Sequence, residues 1–346
     1  METQANKATW APREPLENVA YVYDGTTEGL FTAIFKAYEN KEHPEDVVRE
    51  GVLQPRLGQS IVRIEPDAAL ATRVGAGIRR ACGTDGFNAC VRASLSDDPD
   101  AGTVVYRFVR YAMQREKHAQ AAQSGARSMA PNPTAPSPSS GAVLAPKDGV
   151  ATDVCQDSTK YRGILGEIAN PAVAPLLALE RSVMNERHLL QQFLRFEQLE
   201  GGIWVARCSP KASVVPLLMD WFAARFNTQP FAIYDETHHL AGVYDGGGWH
   251  LVRAGNVELP PETAGEKAMQ RAWQRFYDTV SIDARYHPEL RVQFMPKRFW
   301  KHLPEMNADL PRQGEASRAP ENLDARNAKP VFDGLREKSL PTTPAH

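Results

Sequence analysis

The sequence has few of the features that mark secreted, membrane-spanning or disulfide-stabilised proteins. The 346 residues include four cysteines: Cys82, Cys90, Cys155 and Cys208. None forms a C-x-x-C pair, and none has a histidine at zinc-finger spacing. No stretch approaches the roughly 18 apolar residues that a membrane span needs, and the polar N-terminus lacks the apolar core of a signal peptide. We therefore expect a cytoplasmic protein with no membrane partner, and we predict neither a metal site nor a cofactor.

The sequence also lacks the excess of positive charge that typifies many nucleic-acid-binding proteins. Forty lysines and arginines stand against 42 acidic residues, a formal net charge of −2. Any site for a polyanion must therefore be local. Hydrophobic residues make up 42% of the chain and charged residues 24%, a balance that is typical of globular proteins and excludes a fully disordered chain.

Two long segments lack the aromatic residues that a folded core needs. Residues 119–159 contain no aromatic residue and five prolines, and residues 311–346 contain five prolines and a single aromatic, Phe332. Such segments bury too little apolar surface to offset the entropy lost on ordering. The predicted organisation is a disordered N-terminus (1–18), an N-terminal α/β block (19–118), a disordered Pro/Ser/Ala-rich linker (119–159), a C-terminal α/β block with a basic and aromatic motif (160–310), and a disordered tail (311–346).

Hydrophobic periodicity in the two blocks predicts a mixed α/β fold of the α+β type, with helices packed on small sheets. The apolar run Val19–Tyr23 indicates a buried strand, and Thr26 or Thr27 is placed to cap the helix after it. In the second block, a long helix is predicted from residue 172 to about Leu199.

The end of the second block carries hairpin and helix signals. Strands at 240–244 and 249–252 flank Asp245-Gly-Gly-Gly248, which is typical of a hairpin turn. Thr263-Ala-Gly-Glu266 matches a capping box. The helix that follows it is predicted to bury one face, made of Met269, Ala272, Trp273, Phe276, Tyr277 and Val280.

The most unusual segment is 285–302, where five cations stand against one acid, Glu289. The cations are Arg285, Arg291, Lys297, Arg298 and Lys301. If residues 296–303 are helical, Phe299, Trp300 and Leu303 share one face, and three of the cations share a neighbouring face. Cations beside aromatic rings are typical of nucleic-acid contact. The alternative is a solvated basic surface whose cations pair with carboxylates of the same protein.

Candidate acid/base residues lie at two other places. Glu186 and His188 flank Arg187 on the long helix, and Asp235 opens the polar run 235–239 after a predicted strand, a position where functional residues are frequent. For the polar residues of the long helix, the structural alternative is an internal pair of Glu180 with Arg187. For the run 235–239, it is an ordinary polar turn.

Three segments resemble a known family. Tyr21–Phe35, Glu186–Phe196 and Phe294–Met306 are similar to motifs of the radical-SAM-linked proteins that are associated with DNA repair, a domain family of unknown function (domain of unknown function 4130). The resemblance implies a role in DNA repair or DNA metabolism and a radical SAM protein as partner. It also implies kinship with domains found fused to uracil-DNA glycosylase-like domains. It supplies no catalytic residues.

Three functions remain open at this point. The first is a DNA-binding accessory factor that acts with a radical SAM partner, using the five cations above to contact phosphates. The second is an enzyme that processes a damaged or modified base, either glycosylase-like or a hydrolase, with Glu186, His188 and Asp235 as acid/base groups. The third is a protein-binding scaffold whose basic segment docks on an acidic partner.

Overall fold

The computed structural model describes residues 16–127, 163–255, 259–280, 282 and 287–306. The predicted mixed α/β class is confirmed, with helices arranged on two small sheets. The chain divides into two compact units, Met1–Pro261 and Glu262–His346. Among the described residues, no helix combines the length and the apolar character that crossing a bilayer requires.

The first sheet has three parallel strands, with β1 in the middle. β1 is Val19–Tyr23, β2 is Asp46–Arg49 and β3 is Ser60–Arg63, and the order is β2-β1-β3. All five residues of β1 are buried, as expected for a central parallel strand covered on both faces. The predicted first strand is thus confirmed with its bounds.

Three helices follow these strands: α1 (Thr27–Glu39), α2 (Ala68–Ser94) and α3 (Ala101–Arg127). The hydroxyl of Thr26 accepts a hydrogen bond from the Gly29 amide at 2.9 Å, which confirms the predicted cap. Helix α3 extends beyond residue 119, where the linker is predicted to begin. Alanine and glutamine dominate residues 119–123, and both favour helix even without aromatic partners. The rest of that segment, 128–159, and residues 1–15 and 307–346 lie outside the described residues.

Helix α4 (Ala174–Phe193) completes the core around the first sheet. Its Leu176 and Leu177 belong to the same buried cluster as Val19, Ile34 and other residues of the first predicted block. A single core therefore draws on both predicted blocks.

An ion pair ties α4 to α2 at the edge of this core. Arg92 Nη1 donates to Glu180 Oε1 at 2.7 Å, and the side chain of Glu180 is 9% exposed. The buried position of Glu180 on the apolar stripe of α4 is thus explained by a partner in α2. Arg187, the partner considered in the sequence analysis, instead donates through Nε to the carbonyl of Leu217 at 3.1 Å.

Replacing Arg92 with alanine should lower the free energy of unfolding by about 2 kcal/mol, because a nearly buried carboxylate loses its cation. Urea denaturation at neutral pH measures this loss. Arg63→Ala is the matched control, since Arg63 pairs with Glu50 at 3.2 Å at an exposed position, where a pair is worth below about 1 kcal/mol. Equal losses in both variants would contradict the assignment.

The second sheet has five strands, and their order across the sheet is the same as their order along the chain. They are β4 (Phe196–Gln198), β5 (Trp204–Cys208), β6 (Phe231–Asp235), β7 (Leu240–Tyr244) and β8 (Trp249–Arg253). Only β5 and β6 run parallel, joined by helix α5 (Val215–Arg225). The β7–β8 hairpin is confirmed, and its turn is held by Asp245, whose Oδ1 accepts the amides of Gly247 and Gly248. Helix α4 ends at Phe193, six residues before the predicted end, because the chain after it pairs with β5 as β4.

The second unit is helical where it is described. It contains α6 (Ala264–Val280), α7 (Pro288–Phe294) and two short 3-10 helices, Lys297–His302 and Pro304–Met306. The hydroxyl of Thr263 accepts from the Glu266 amide at 3.1 Å, as the capping box predicts. The predicted burial of the apolar face of α6 is not found, since Met269, Phe276 and Val280 are exposed. Trp273 is held by a hydrogen bond from its Nε1 to Glu305 Oε2 at 3.1 Å.

Candidate functional site

Asp235 lies at the C-terminal end of β6 and is completely buried. Its Oδ1 accepts the backbone amides of Thr237 and His238 at 2.9 and 3.1 Å, and its Oδ2 lies 2.6 Å from Nδ1 of His238. The carboxylate therefore both closes the β6–β7 turn and orients the imidazole within that turn.

The other ring nitrogen of His238 reaches a distant part of the same unit. Nε2 lies 2.9 Å from Oδ1 of Asp97, in the loop between α2 and α3, and the same oxygen accepts from Arg49 Nη1 at 3.1 Å. We call Arg49, Asp97, Asp235 and His238 the histidine cluster. It joins the end of β2, the α2–α3 loop and the β6–β7 turn.

The histidine cluster holds its imidazole in the charged form. Burial lowers the pKa of His238, but the hydrogen bonds and negative charges of Asp235 and Asp97 outweigh it and raise the pKa from 6.5 to about 9. For Asp97, burial raises the pKa of the carboxyl group. The hydrogen bonds and positive charges of His238 and Arg49 lower this pKa by more, so the net shift is downward. At neutral pH, His238 is therefore an imidazolium that donates to two carboxylates, an arrangement that favours a structural clamp over proton transfer to a ligand.

The structure places Glu186 and His188 on different sides of α4. Glu186 is buried and its Oε1 accepts the Lys211 amide at 3.0 Å, whereas His188 is exposed and its Nε2 lies 2.8 Å from Nε2 of Gln192. Residues two apart on a helix do not face each other. The three predicted acid/base candidates, Glu186, His188 and Asp235, thus each have different neighbours.

A cavity of about 530 Å³ opens beside the C-terminal end of α4, within the first unit. Its walls come from α4, β4, β5, α5, β6 and the residues that follow α4 and α5. Six of the twelve lining side chains are aromatic and two are arginines. The lining comprises Gln191, Gln192, Leu194, Arg195, Phe196, Trp204, Trp221, Phe222, Arg225, Phe226, Gln229 and Phe231. We call this the aromatic cavity.

The rings of the aromatic cavity form a packed layer. Phe196 lies 5.2, 5.0 and 5.4 Å, centroid to centroid, from Phe222, Phe226 and Phe231. Phe222 and Phe231 are buried, whereas Trp221 is 37% exposed. Edge-to-face contacts at these distances hold aromatic rings in fixed positions, so the cavity has a rigid floor and an accessible rim.

The basic segment of the second unit, described over residues 287–302, has buried side chains next to exposed lysines. Phe299 is 3% exposed and Leu303 is fully buried, while Lys297 and Lys301 are exposed. The segment is a 3-10 helix, in which residues three apart share a side. Trp300 therefore lies next to Lys297, with 6.0 Å between the Lys297 Nζ and the ring centroid.

The two described arginines of the basic segment also lie over rings. Arg291 Cζ is 5.2 Å from the centroid of Trp300, and Arg298 Cζ is 4.5 Å from that of Phe299. Such cation–π contacts hold a guanidinium against an aromatic ring. Arg285, the fifth predicted phosphate ligand, lies outside the described residues.

Sequence reasoning assigned no role to His238, Asp97 or Arg49, nor did it find the aromatic cavity. The polar run 235–239 after a strand gave a signal for a turn, but its partner Asp97 lies 141 residues away in the sequence. The cavity is built from aromatic residues of four separate elements, which periodicity assigned to the core. Within the described part of the chain, no group of three or more His, Cys, Asp or Glu side chains is placed to hold a metal ion.

The protein thus has a mixed α/β fold with two candidate binding sites. One is the basic segment, which combines cations with aromatic rings, and the other is the rigid aromatic cavity. Residues 152–305, less than half of the chain, match the family model of a domain of unknown function, DUF4130. Of the three segments that carry the sequence resemblance, the match includes Glu186–Phe196 and all but the last residue of Phe294–Met306, whereas Tyr21–Phe35 lies outside it. Comparisons with curated proteins and with solved structures give no match.

Proposed function

We propose that the protein is a DNA-binding accessory factor in DNA repair or DNA metabolism. The observation that supports this most is the geometry of the basic segment, where two lysines are exposed beside a buried Phe299 and Leu303. Because the backbone beneath these lysines is already ordered, contact with a phosphate requires only their side chains to become fixed. The phosphate ligands proposed here are Arg285, Arg291, Lys297, Arg298 and Lys301.

Charge and ring placement in this segment suit a polyanion with accessible bases. Arg291 and Lys297 both lie over Trp300, and aromatic rings beside cations are the usual contacts of single strands. Phosphate contacts fix the position of the nucleic acid without reading its sequence. We therefore expect binding with little sequence preference and a strong dependence on salt.

The slope of binding against salt tests this proposal. Each phosphate contact on duplex DNA contributes about −0.9 to the slope of log K against log[salt]. Five contacts therefore predict a slope of about −4.5. Replacing Lys297 and Lys301 with alanine should reduce its magnitude to about 2.7, since two contacts are lost. Fluorescence anisotropy of a labelled duplex and a labelled single strand, titrated at several salt concentrations, measures both values.

A matched control removes the same two charges elsewhere. Lys117 and Lys267 are exposed lysines on α3 and α6, and the Lys117→Ala, Lys267→Ala protein should keep the wild-type slope. The proposal fails if the wild-type protein binds neither duplex nor single strand. An unchanged slope in the Lys297→Ala, Lys301→Ala protein would remove the basic segment from the interface.

The sequence resemblance adds a radical SAM protein as the catalytic partner in this proposal. The exposed apolar side of α6, with Met269, Phe276 and Val280, favours the related function of a protein-binding scaffold. Co-purification with a radical SAM protein encoded near the same gene, with and without nuclease, separates the two. Association that survives nuclease supports a direct protein contact, and association that nuclease abolishes supports a DNA bridge.

A further inference from the structure

The aromatic cavity has the composition of a site for a planar, aromatic ligand. Half of its lining is aromatic, whereas a site for an alkyl chain is lined mainly by aliphatic side chains. Trp221 is 37% exposed at the rim, and Phe226 is half-buried beside it. Flat rings that remain accessible offer stacking surfaces to any nucleobase, because every base has a π face.

The charge of the lining selects against cations. Its only charged side chains are Arg195 and Arg225, and no aspartate or glutamate is among the twelve residues. Arg225 Cζ lies 5.4 Å from the Trp221 ring centroid. Arg195 Nη1 donates to the carbonyls of Gln192 and Leu194 at 3.0 and 3.3 Å. Two arginines in the lining of an aromatic cavity fit a ligand that carries a phosphate.

Three amide side chains complete the lining: Gln191, Gln192 and Gln229. Each amide provides both a donor and an acceptor, the pair of groups that recognises the edge of a base. The cavity volume of about 530 Å³ also falls in the range of small-molecule sites, roughly 300–1,000 Å³.

We propose that the aromatic cavity binds a single unstacked nucleotide, with its base against the aromatic rings and its phosphate at Arg195 and Arg225. The nucleotide is either free or one residue of a single strand, since both present the same base and phosphate. All twelve lining residues belong to the unit Met1–Pro261, whereas the basic segment belongs to Glu262–His346. The inference therefore stands independently of the DNA-binding segment.

The test is calorimetric titration with thymidine monophosphate, thymidine and inorganic phosphate. The nucleotide should bind at least about tenfold more tightly than the nucleoside, because only the nucleotide has a phosphate that can accept charge-assisted hydrogen bonds from the two arginines. Trp221→Ala should weaken nucleotide binding by about tenfold or more through lost stacking. Trp221→Phe should retain most of the affinity, which separates stacking from a loss of folding.

Arg225→Gln should weaken the nucleotide about tenfold and leave the nucleoside unchanged. Its control is Arg63→Gln, an exposed arginine on β3, which should change neither. Inorganic phosphate that binds as tightly as the nucleotide would overturn the proposal, and so would wild-type affinity in Trp221→Ala.

A short oligothymidine distinguishes the two sources of the nucleotide. It is titrated into the Lys297→Ala, Lys301→Ala protein, in which the basic segment lacks two of its five proposed phosphate contacts. If the oligomer binds more tightly than the mononucleotide, and if Trp221→Ala abolishes this difference, the ligand of the cavity is one residue of a single strand. Equal affinities assign it to the free nucleotide, and absence of binding by both overturns the inference whatever the outcome of the salt titration.

Discussion

Replacing Asp235 with alanine should lower the free energy of unfolding by about 3–5 kcal/mol, the cost of removing one partner from a buried ion pair. The carboxylate is completely buried and accepts from two backbone amides and one imidazole nitrogen. Its loss leaves those donors without an acceptor and removes one of the two carboxylates that hold His238. Urea or guanidinium denaturation at pH values near neutrality measures the change.

Asp245 provides the control for this variant. Its Oδ1 also accepts two backbone amides, those of Gly247 and Gly248, but the turn is exposed to solvent. Asp245→Ala therefore removes a similar set of hydrogen bonds at an exposed position, and the expected loss of stability is much smaller than for Asp235→Ala. Similar losses for both variants would show that burial and the histidine contribute nothing to the effect at Asp235.

The stability of the wild-type protein should fall as the pH rises from about 6.5 to about 9. The pKa of His238 is about 9 in the folded protein against 6.5 for an ordinary histidine, so the folded state binds the proton more tightly. The stabilisation is fully present below the lower value and is lost as the pH passes the higher one. At 1.36 kcal/mol per pKa unit, the expected loss is about 3 kcal/mol.

The acid side of the profile has the opposite sign. The pKa of Asp97 is lowered from 3.8, so its contribution is present above that value and is lost as the pH falls below it. Chemical denaturation across about pH 2 to 10 measures the whole profile. His238→Asn should remove the decline on the alkaline side, and a decline that persists in this variant would assign it to another group.

Local signals in the sequence were sufficient for most of the strands and helices. Val19–Tyr23 is apolar at every position, and such a run is buried on both faces of a parallel sheet. Thr26 and Thr263 cap helices because their hydroxyls lie three residues before amides without helical acceptors. These features depend only on near neighbours in the chain.

Boundaries and burial that depend on distant partners were not predicted. The end of α4 is set by the pairing of β4 with β5, and the sequence of 194–199 alone continues the helical pattern. The side of α6 with Met269 and Phe276 has the periodicity of a buried face, yet it is exposed, since periodicity reports which residues share a face and not what covers it.

The candidate sites show the same division. The anchoring of Phe299 beneath exposed Lys297 and Lys301 follows from spacing within six residues. The histidine cluster and the aromatic cavity assemble residues from several elements, and no local pattern brings Asp97 to His238 or Trp221 to Phe196. Their partners became evident only with the fold.

The packing of α4 has a consequence for the autonomy of the region that matches the family model. Leu176 and Leu177 lie within residues 152–305, yet most of the side chains in the core that they help to fill come from residues 19–112. A polypeptide made of the matched region alone would present these leucines to water. Any relative that carries only this region must therefore shield the same helix face with a replacement element of its own or with a second subunit.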